Sequence, residues 1–420
     1  MKELNKFSNK IFFSCIFFIL PVFIWTIDFG VILDQRLSHF SSDRSADYAA
    51  SLIPRFYTPL GENGDLYVSA GFYIEYANED WNYIPELLRT EFIWYFNSAD
   101  LVIGRMYYTD PLGFIAEGLF DGARLSYDTN IGTFSAGTWY TGLLFKKRAN
   151  ITMTNEELIS YSKKLDYNDF IDSYFAPGRL VYALDWEHQG LGYRFLEQKF
   201  SLLGQYDITG NSLHSQYLIG RLSLPIQAFR FDLGGSFEFI QGSIGTRDSS
   251  GIPDSEGIQD SKDFKTAFAA EIGVEWILPT ALRSRLSLLS RYSSGVSGGN
   301  NAFLPINTKT QGTIFRAKLS GITMISLDYL ARLHRNLSLG FNSSYFIRSD
   351  LETYNSYPLI NNTGEGHFIG NEFFGRLYWS PFSDLSMNLG GGVFLPSLGN
   401  AASGADNLWR AELNLTLSLY

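Results

Sequence analysis

Arginines and carboxylates recur at every second position in several stretches of this chain, opposite runs of apolar residues. In 229–240, Phe229, Phe231, Leu233, Phe237 and Phe239 share one parity and Arg230, Asp232, Ser236 and Glu238 the other. In 264–276, Phe264, Phe268, Ile272, Val274 and Trp276 oppose Lys265, Glu271 and Glu275. In 408–419, Trp409, Ala411 and the leucines oppose Arg410, Glu412, Asn414, Thr416 and Ser418. Period two is the signature of an extended strand with two unlike faces. An arginine facing hydrocarbon at mid-depth costs about 2–4 kcal/mol, so if these strands cross a membrane, the charged face is the interior one.

That parity places Arg89, Arg105, Arg124, Arg230, Arg285, Arg291, Arg376 and Arg410 inside. Glu91, Asp232, Glu238, Glu271, Glu275, Glu372 and Glu412 join them. The guanidinium fork recognises carboxylates and phosphates, and rings of Arg or Lys favour anions in pores. The chemistry implied is recognition: an interior that guides an anionic or polyhydroxylated solute. The competing reading is a set of Arg–Glu pairs that stiffen a wide barrel. Arg89, Glu91, Arg105 and Arg124 form the preferred cluster, because they lie on three consecutive strands.

Signals for bond-making chemistry are weak. His39, His188, His214, His334 and His367 are scattered, and no His-x-Glu-x-x-His or close ligand set appears. Ser215 and His214 are adjacent in a strand and so face opposite sides. Gly390-Gly391-Gly392 lacks the Lys-Ser/Thr and helix of a phosphate loop, and reads as relief of crowding or a bend. The expectation is no enzyme, with no catalytic residue, metal or cofactor. Cys15, the single cysteine, lies in the N-terminal apolar segment, which removes thiol chemistry from the mature chain. The net charge is -10, with Asp248, Asp254, Glu256, Asp260 and Asp263 clustered, which excludes a nucleic-acid footprint.

The elements that would position these residues are alternating stretches of roughly ten residues, the length of a tilted transmembrane strand. Hydrophobic residues make up 45%, yet the mean hydropathy is only -0.05, and no mature stretch reaches the length of a spanning helix. The 16% aromatic content suits girdles at two membrane boundaries. Short connections rich in turn formers fall at 61–64, 97–100, 130–132, 278–280, 334–336 and 381–384. Long ones fall at 37–48, 78–85, 109–119, 147–176, 241–263, 294–312, 349–366 and 396–406. The fold class is all-β: a single antiparallel transmembrane barrel of about 18 strands, with short periplasmic turns and long extracellular loops. The stretch 178–225 is poorly punctuated around Gly190-Leu191-Gly192, so about 16 strands is the alternative. In 147–176, Thr154-Asn155-Glu156-Glu157 resembles a helix start, and the segment either folds into the pore or stays outside.

Lys2, Lys6 and Lys10 followed by the apolar run Ile11–Ile27 read as an export signal, giving residues 1–26 as signal peptide and 27–420 as barrel. The function implied is passive diffusion of small polar, anionic solutes across the outer membrane of a diderm bacterium. The alternatives are a non-conducting surface scaffold or adhesin, and a hydrophobic-solute transporter. The latter needs an N-terminal hatch, for which a first strand near Asp28 leaves little chain. Expected partners are outer-membrane lipid, the barrel-assembly machinery and the solute; homo-oligomerisation stays open.

Two stretches resemble the alginate-export family of outer-membrane barrels. One is Val102-Ile103-Gly104-Arg105 followed by Phe120-Asp121-Gly122-Ala123-Arg124-Leu125. The other is Ile369-Gly370-Asn371-Glu372, then Tyr378-Trp379-Ser380-Pro381 and Phe394-Leu395-Pro396. The resemblance implies an 18-stranded conducting barrel with Arg105 and Arg124 in an Arg-rich lumen, though not alginate itself. Similar strings occur in spirochaete-type outer-membrane proteins, which implies such a source. One departure is the terminus: Tyr420 is out of phase with Leu419, Leu417 and Leu415, so the last strand either ends at Leu419 or carries a different assembly signal.

The export reading predicts a mature protein beginning at Trp25 to Ile27; intact-mass measurement of protein from the outer-membrane fraction checks it, and an uncleaved chain overturns it.

Overall fold

A computed structural model of the chain describes residues 27–41, 46–77, 79–153, 157, 163–190, 195–208, 213–241, 265–296, 302–307, 309–351, 353, 366–401 and 404–420. The alternating stretches form β1 (Asp28–Phe40), β2 (Asp47–Pro59), β3 (Gly64–Ala77), β4 (Asp80–Tyr95), β5 (Ala99–Thr109) and β6 (Glu117–Thr129). β7 (Gly132–Tyr140), β8 (Arg179–Gln189), β9 (Glu197–Asp207), β10 (His214–Ile226), β11 (Phe229–Gln241), β12 (Lys265–Ile277) and β13 (Arg285–Ser293) follow. After a small ribbon of β14 (Thr310–Gln311) and β15 (Ala317–Lys318) come β16 (Ile322–His334), β17 (Leu337–Arg348), β18 (Phe368–Trp379), β19 (Leu385–Leu395) and β20 (Leu408–Leu419).

Eighteen strands, all but the ribbon pair, make one sheet in which each pairs antiparallel with its sequence neighbours. β1 closes the ring on β20, from Val31 opposite Leu419 to Phe40 opposite Arg410. Closure leaves no sheet edge, one of the two ways to satisfy backbone groups in hydrocarbon. The stretch 178–225 holds β8, β9 and β10, so the count is eighteen and not sixteen.

The two faces separate as the alternation requires. On β11, Phe231, Leu233, Phe237 and Phe239 are exposed on the outer surface, while Ser236 and Glu238 are buried within. Gly390 and Gly392 of β19 face Phe374: a Cβ at either would approach its ring to 2.9 and 2.6 Å. These glycines therefore relieve crowding. β20 ends at Leu419; Tyr420 lies beyond it with the Arg55 guanidinium 4.0 Å above its ring.

Two boundaries differ from expectation. The connection expected at 78–85 is two residues long, because the β3–β4 hairpin continues through Ala77 opposite Asp80. Pro85, which reads as loop, sits inside β4 opposite Phe72. The connection after β13 runs on to 321 and contains the ribbon.

Pro85 is explained by an interruption in the wall. β4 pairs with β3 along its length but with β5 only from Thr90 opposite Arg105 to Tyr95 opposite Asp100. Above Thr90 the two strands fork. Arg105 is six residues from the start of β5, about 15 Å along the axis at ~3.3 Å per residue and ~40° tilt, near mid-depth of the apolar band. A backbone group left unpaired there costs several kcal/mol. Side chains take the place of the missing strand. Tyr174 Oη donates to Pro85 O at 2.8 Å, Tyr167 Oη donates to Tyr83 O, and Arg105 Nη1 donates to Leu87 O. Pro85 suits this bank because it carries no N–H to leave unpaired. Arg105 also bonds Asp121 at 2.8 and 2.7 Å and Leu143 O at 2.9 Å.

The expectation that Arg105 lines an open lumen is thereby corrected: at 5% exposure its guanidinium is consumed by three elements of the wall. Arg105→Met should leave Asp121 and two carbonyls without a donor and cost about 3 kcal/mol. Denaturant unfolding of protein refolded in liposomes reads this loss; unchanged stability would remove the pinning role.

Candidate functional site: a lumen narrowed by inward-folded loops

Three connections fold into the barrel mouth because they are apolar. Leu112, Phe114 and Ile115 from 110–116, Leu144 and Ile151 from 141–178, and Phe303, Ile306, Ile314 and Phe315 from 294–321 are all buried. They pack with inward residues of the outer strand halves, among them Tyr108, Trp139, Tyr217, Phe346 and Phe394. Each such side chain contributes roughly 1.5–3 kcal/mol when removed from water.

Buried carboxylates then fix the loops through their backbone. Asp110 accepts from Leu112, Gly113, Ile115 and Ala116 N–H at 2.8–3.1 Å, closing a tight turn in which Gly113 has φ +69°. Burial pushes the Asp110 carboxyl up from its usual range, against the pull of those four donors. Glu372 accepts from Thr313, Ile314 and Phe315 N–H at 2.7, 2.8 and 2.9 Å. Glu238 accepts from Leu304 N–H at 2.8 Å.

Asn307 joins the three loops. Its N–H donates to Ile115 O at 3.1 Å, its Oδ1 accepts from Glu117 N–H at 3.1 Å, and its Nδ2 donates to Ala149 O at 2.7 Å. Ala149 to Thr152 thus enter the barrel, and Arg148 pairs with Glu75 and Glu86 at 2.8 and 3.2 Å beneath the Tyr73 ring. Burial, with Lys147 and Lys163 beside it, holds the Lys146 ammonium below its usual range. The expected helix start at 154–157 lies outside the described residues except Glu157, which accepts from Arg179 at 2.5 Å.

Three cavities border this junction. A space of about 1030 Å³ carries Arg36, Lys147, Lys309, Arg316, Arg376 and Arg410 against Glu75 and Glu412. A second of about 580 Å³, roofed by Thr310–Thr313, carries Arg285, Arg291 and Arg376 with Asp328 and several uncharged polar groups. There Asn342 Nδ2 bonds Ser326 and Asp328 at 2.7 Å each, and Ser344 Oγ donates to Asn342 Oδ1 at 2.9 Å. The third, about 380 Å³, balances Arg124, Arg221, Arg230 and Lys199 against Asp185, Glu187 and Glu197.

The fold of this chain is similar to outer-membrane proteins of Pseudomonas aeruginosa. OccK2 (OpdF) in complex with glucuronate aligns at TM-score 0.61 and 13% identity, covering 94% of this chain and 99% of that one. OprD aligns at 0.58 and 12% identity, covering 95% of both. OccK5 (OpdH) aligns at 0.57 and 13% identity, covering 93% and 98%. No protein-family model matches the chain, and no curated sequence does.

The residues expected from parity are dispersed and mostly paired. Arg89 is held by Glu91 at 2.7 and 2.6 Å, and half of its side chain stays open. Arg124 donates to Ser135 at 3.2 Å on the inner face, whereas Arg105 shares the outward parity of Ile103 and Tyr107, so the expected cluster divides. Arg230 reaches Asp232 at 3.3 Å and Glu197 at 3.4 Å; Arg285 reaches Glu275 at 3.3 Å. Arg291 is closed by Glu271, Gln311 and the Phe114 ring. Arg376 and Arg410 share Glu412 at 2.9 and 3.0 Å, and Arg410 also holds Thr313 O at 2.9 Å. Glu238 and Glu372 are fully buried loop anchors, which corrects their expected place among solute-facing groups.

Sequence reasoning set Lys146, Lys147 and Arg148 at the root of a pore-narrowing loop and missed Arg36, Arg221, Lys309, Arg316 and Asn307. Parity could have found Arg36, two places from Asp34 and opposite Val31 and Leu33, and Arg221 on β10. The loop residues have no period to read. Asn307→Ala should release the junction, raising single-channel conductance and costing about 1–3 kcal/mol of stability. Planar-bilayer recording checks this; unchanged conductance would show that the loops hold without Asn307.

Proposed function

We propose that the chain is an outer-membrane channel for passive diffusion of small anionic, hydroxylated solutes. The observation that carries the reading is the 1030 Å³ cavity at the narrowing, where six cationic side chains meet two carboxylates. Such a site attracts anions and, with water beside it, lets them leave. Arg376 is lifted off the wall by the Phe374 ring, 4.9 Å beneath its guanidinium. The Ser326–Asp328–Asn342–Ser344 network supplies oriented donors and acceptors for hydroxyls a few residues away. The glucuronate bound by OccK2, a carboxylate with ring hydroxyls, is a solute of this chemistry.

Selectivity on this reading belongs to Arg36, Lys147, Arg316 and Arg376, together with the open sides of Arg89, Arg124, Arg230 and Arg285. The strings that resemble alginate exporters include Gly104–Arg105 and Phe120–Arg124, at the base of the wall fork, where they support a shared architecture and not a shared solute. Assembly by the barrel machinery would read outward Leu413–Leu419, with Leu419 as the last strand residue. The acidic loop of the surface-scaffold alternative lies outside the described residues.

Refolded protein in a planar bilayer with a salt gradient should show anion-preferring steps, and Arg36→Glu with Arg316→Glu should reverse the preference. Cation-preferring wild-type steps would sink the reading. Asn342→Leu should shorten current blockades by a sugar acid about three- to tenfold, the scale of one or two hydrogen bonds, while leaving those by an aliphatic acid unchanged.

A further inference from the structure

The fork between β4 and β5 is the one place, among the described residues, where a long run of strand edge, from Thr90 at mid-depth to Asp80 at the outer rim, is closed by a loop. Its banks carry Trp81, Tyr83 and Leu87 on β4 and Ile103 and Tyr107 on β5, all exposed on the outer surface. Between them lies the start and end of the connection 141–178, paired at Phe145 opposite Phe175 and by Ala176 N–H to Leu144 O at 2.9 Å. The seal is made of side chains: two tyrosine hydroxyls and one guanidinium for the carbonyls of Tyr83, Pro85 and Leu87.

The seal has two unlike sides. Leu143, whose carbonyl meets Arg105, is 51% exposed beside Leu87 and Tyr107 of the banks, while Tyr167 and Ile171 stand at the outer rim among Asp166, Asp169 and Lys164, the last paired with Asp80 at 2.9 Å. Phe145 and Tyr174 pack inward on Tyr73 and Ile84. Two residues past Phe145, Lys147 is exposed and lines the cationic cavity with Arg36 and Arg316. Apolar chain and fixed positive charge thus face hydrocarbon and water across one thin, side-chain-bonded plug. Regions held by few backbone hydrogen bonds are the first to open locally.

We propose that this fork is a side entrance for a single-chain amphiphile with an anionic head, whose tail lies among Leu87, Tyr107 and Leu143 and whose head reaches Lys147. The match is one of charge and polarity: a cationic cavity behind an apolar seam accepts such a molecule, and neither a neutral lipid nor a bare anion satisfies both sides. The inference rests on the cavity's charge and not on diffusion of small solutes, so conductance and labelling fail separately.

The test uses the full-length mature protein in phosphatidylcholine nanodiscs and dodecanoic acid bearing a terminal diazirine. Photolabel should concentrate in the peptides that carry Leu87, Tyr107 and Leu143. Dodecanoate should compete and dodecanol should not. Lys147→Glu, a change at an exposed side chain, should reduce labelling about fivefold, the scale of one partly exposed charge contact. Label spread evenly over the wall, with Phe231 and Phe237 marked as heavily as Leu87, would overturn the entrance. Equal competition by acid and alcohol, or labelling indifferent to Lys147→Glu, would overturn the role of the head group.

Discussion

Every backbone N–H and C=O at membrane depth must find a partner inside the molecule, and the rest of the structure follows from that requirement. It makes the sheet close, β1 on β20, and, the number of strands being even, the start of β1 and the end of β20 lie on one side. It also explains the one long departure. Where β4 and β5 separate, the carbonyls of Tyr83, Pro85 and Leu87 still have donors, brought from a loop and from Arg105. Pro85 sits where a missing N–H costs nothing, so a residue that reads as loop marks an unpaired strand edge.

The second constraint is water. A closed ring of eighteen strands is wide, and its interior would be aqueous along its length if the loops were polar. They are not. Pro111-Leu112-Gly113-Phe114-Ile115-Ala116 and Ala302-Phe303-Leu304-Pro305-Ile306 carry too many apolar side chains to stand in solvent. They bury against Tyr108, Trp139 and Tyr217 and turn the outer half of the lumen into a packed core. Asp110, Glu238 and Glu372 then serve as acceptors for loop N–H groups. Carboxylates that alternation marks as interior are thus divided between those that hold backbone and those that meet the pore.

That division shapes the electrostatics of the passage. With Glu238, Glu372 and Asp110 committed to backbone donors, and Arg105 and Arg291 committed to the wall and the ribbon, the charges left at the narrowing are mostly positive. A chain of net charge -10 therefore presents a cationic constriction. Net charge describes the whole surface, and a pore reads only the few groups whose partners leave them open.

The sequence alone determined the barrel, the position of most turns and the parity of β11, β12 and β20, because a strand in a membrane must alternate and each residue's face follows from counting by two, while the choice of eighteen strands over sixteen came from the folded chain. It also indicated that Gly390 and Gly392 relieve crowding. It read Arg105 and Arg124 alike as interior, yet Arg105 shares the outward parity of Ile103 and Tyr107 and is clamped by Asp121, Leu87 and Leu143, while Arg124 faces inward and keeps one hydroxyl partner. Nor could it place Asn307 or Lys309, which sit in a connection without a period. Those roles depend on which loop meets which strand across the lumen, contacts separated by up to 196 positions in the chain. Alternation is a local property of consecutive residues, whereas the narrowing is a packing of distant ones, and only the folded chain brings them together.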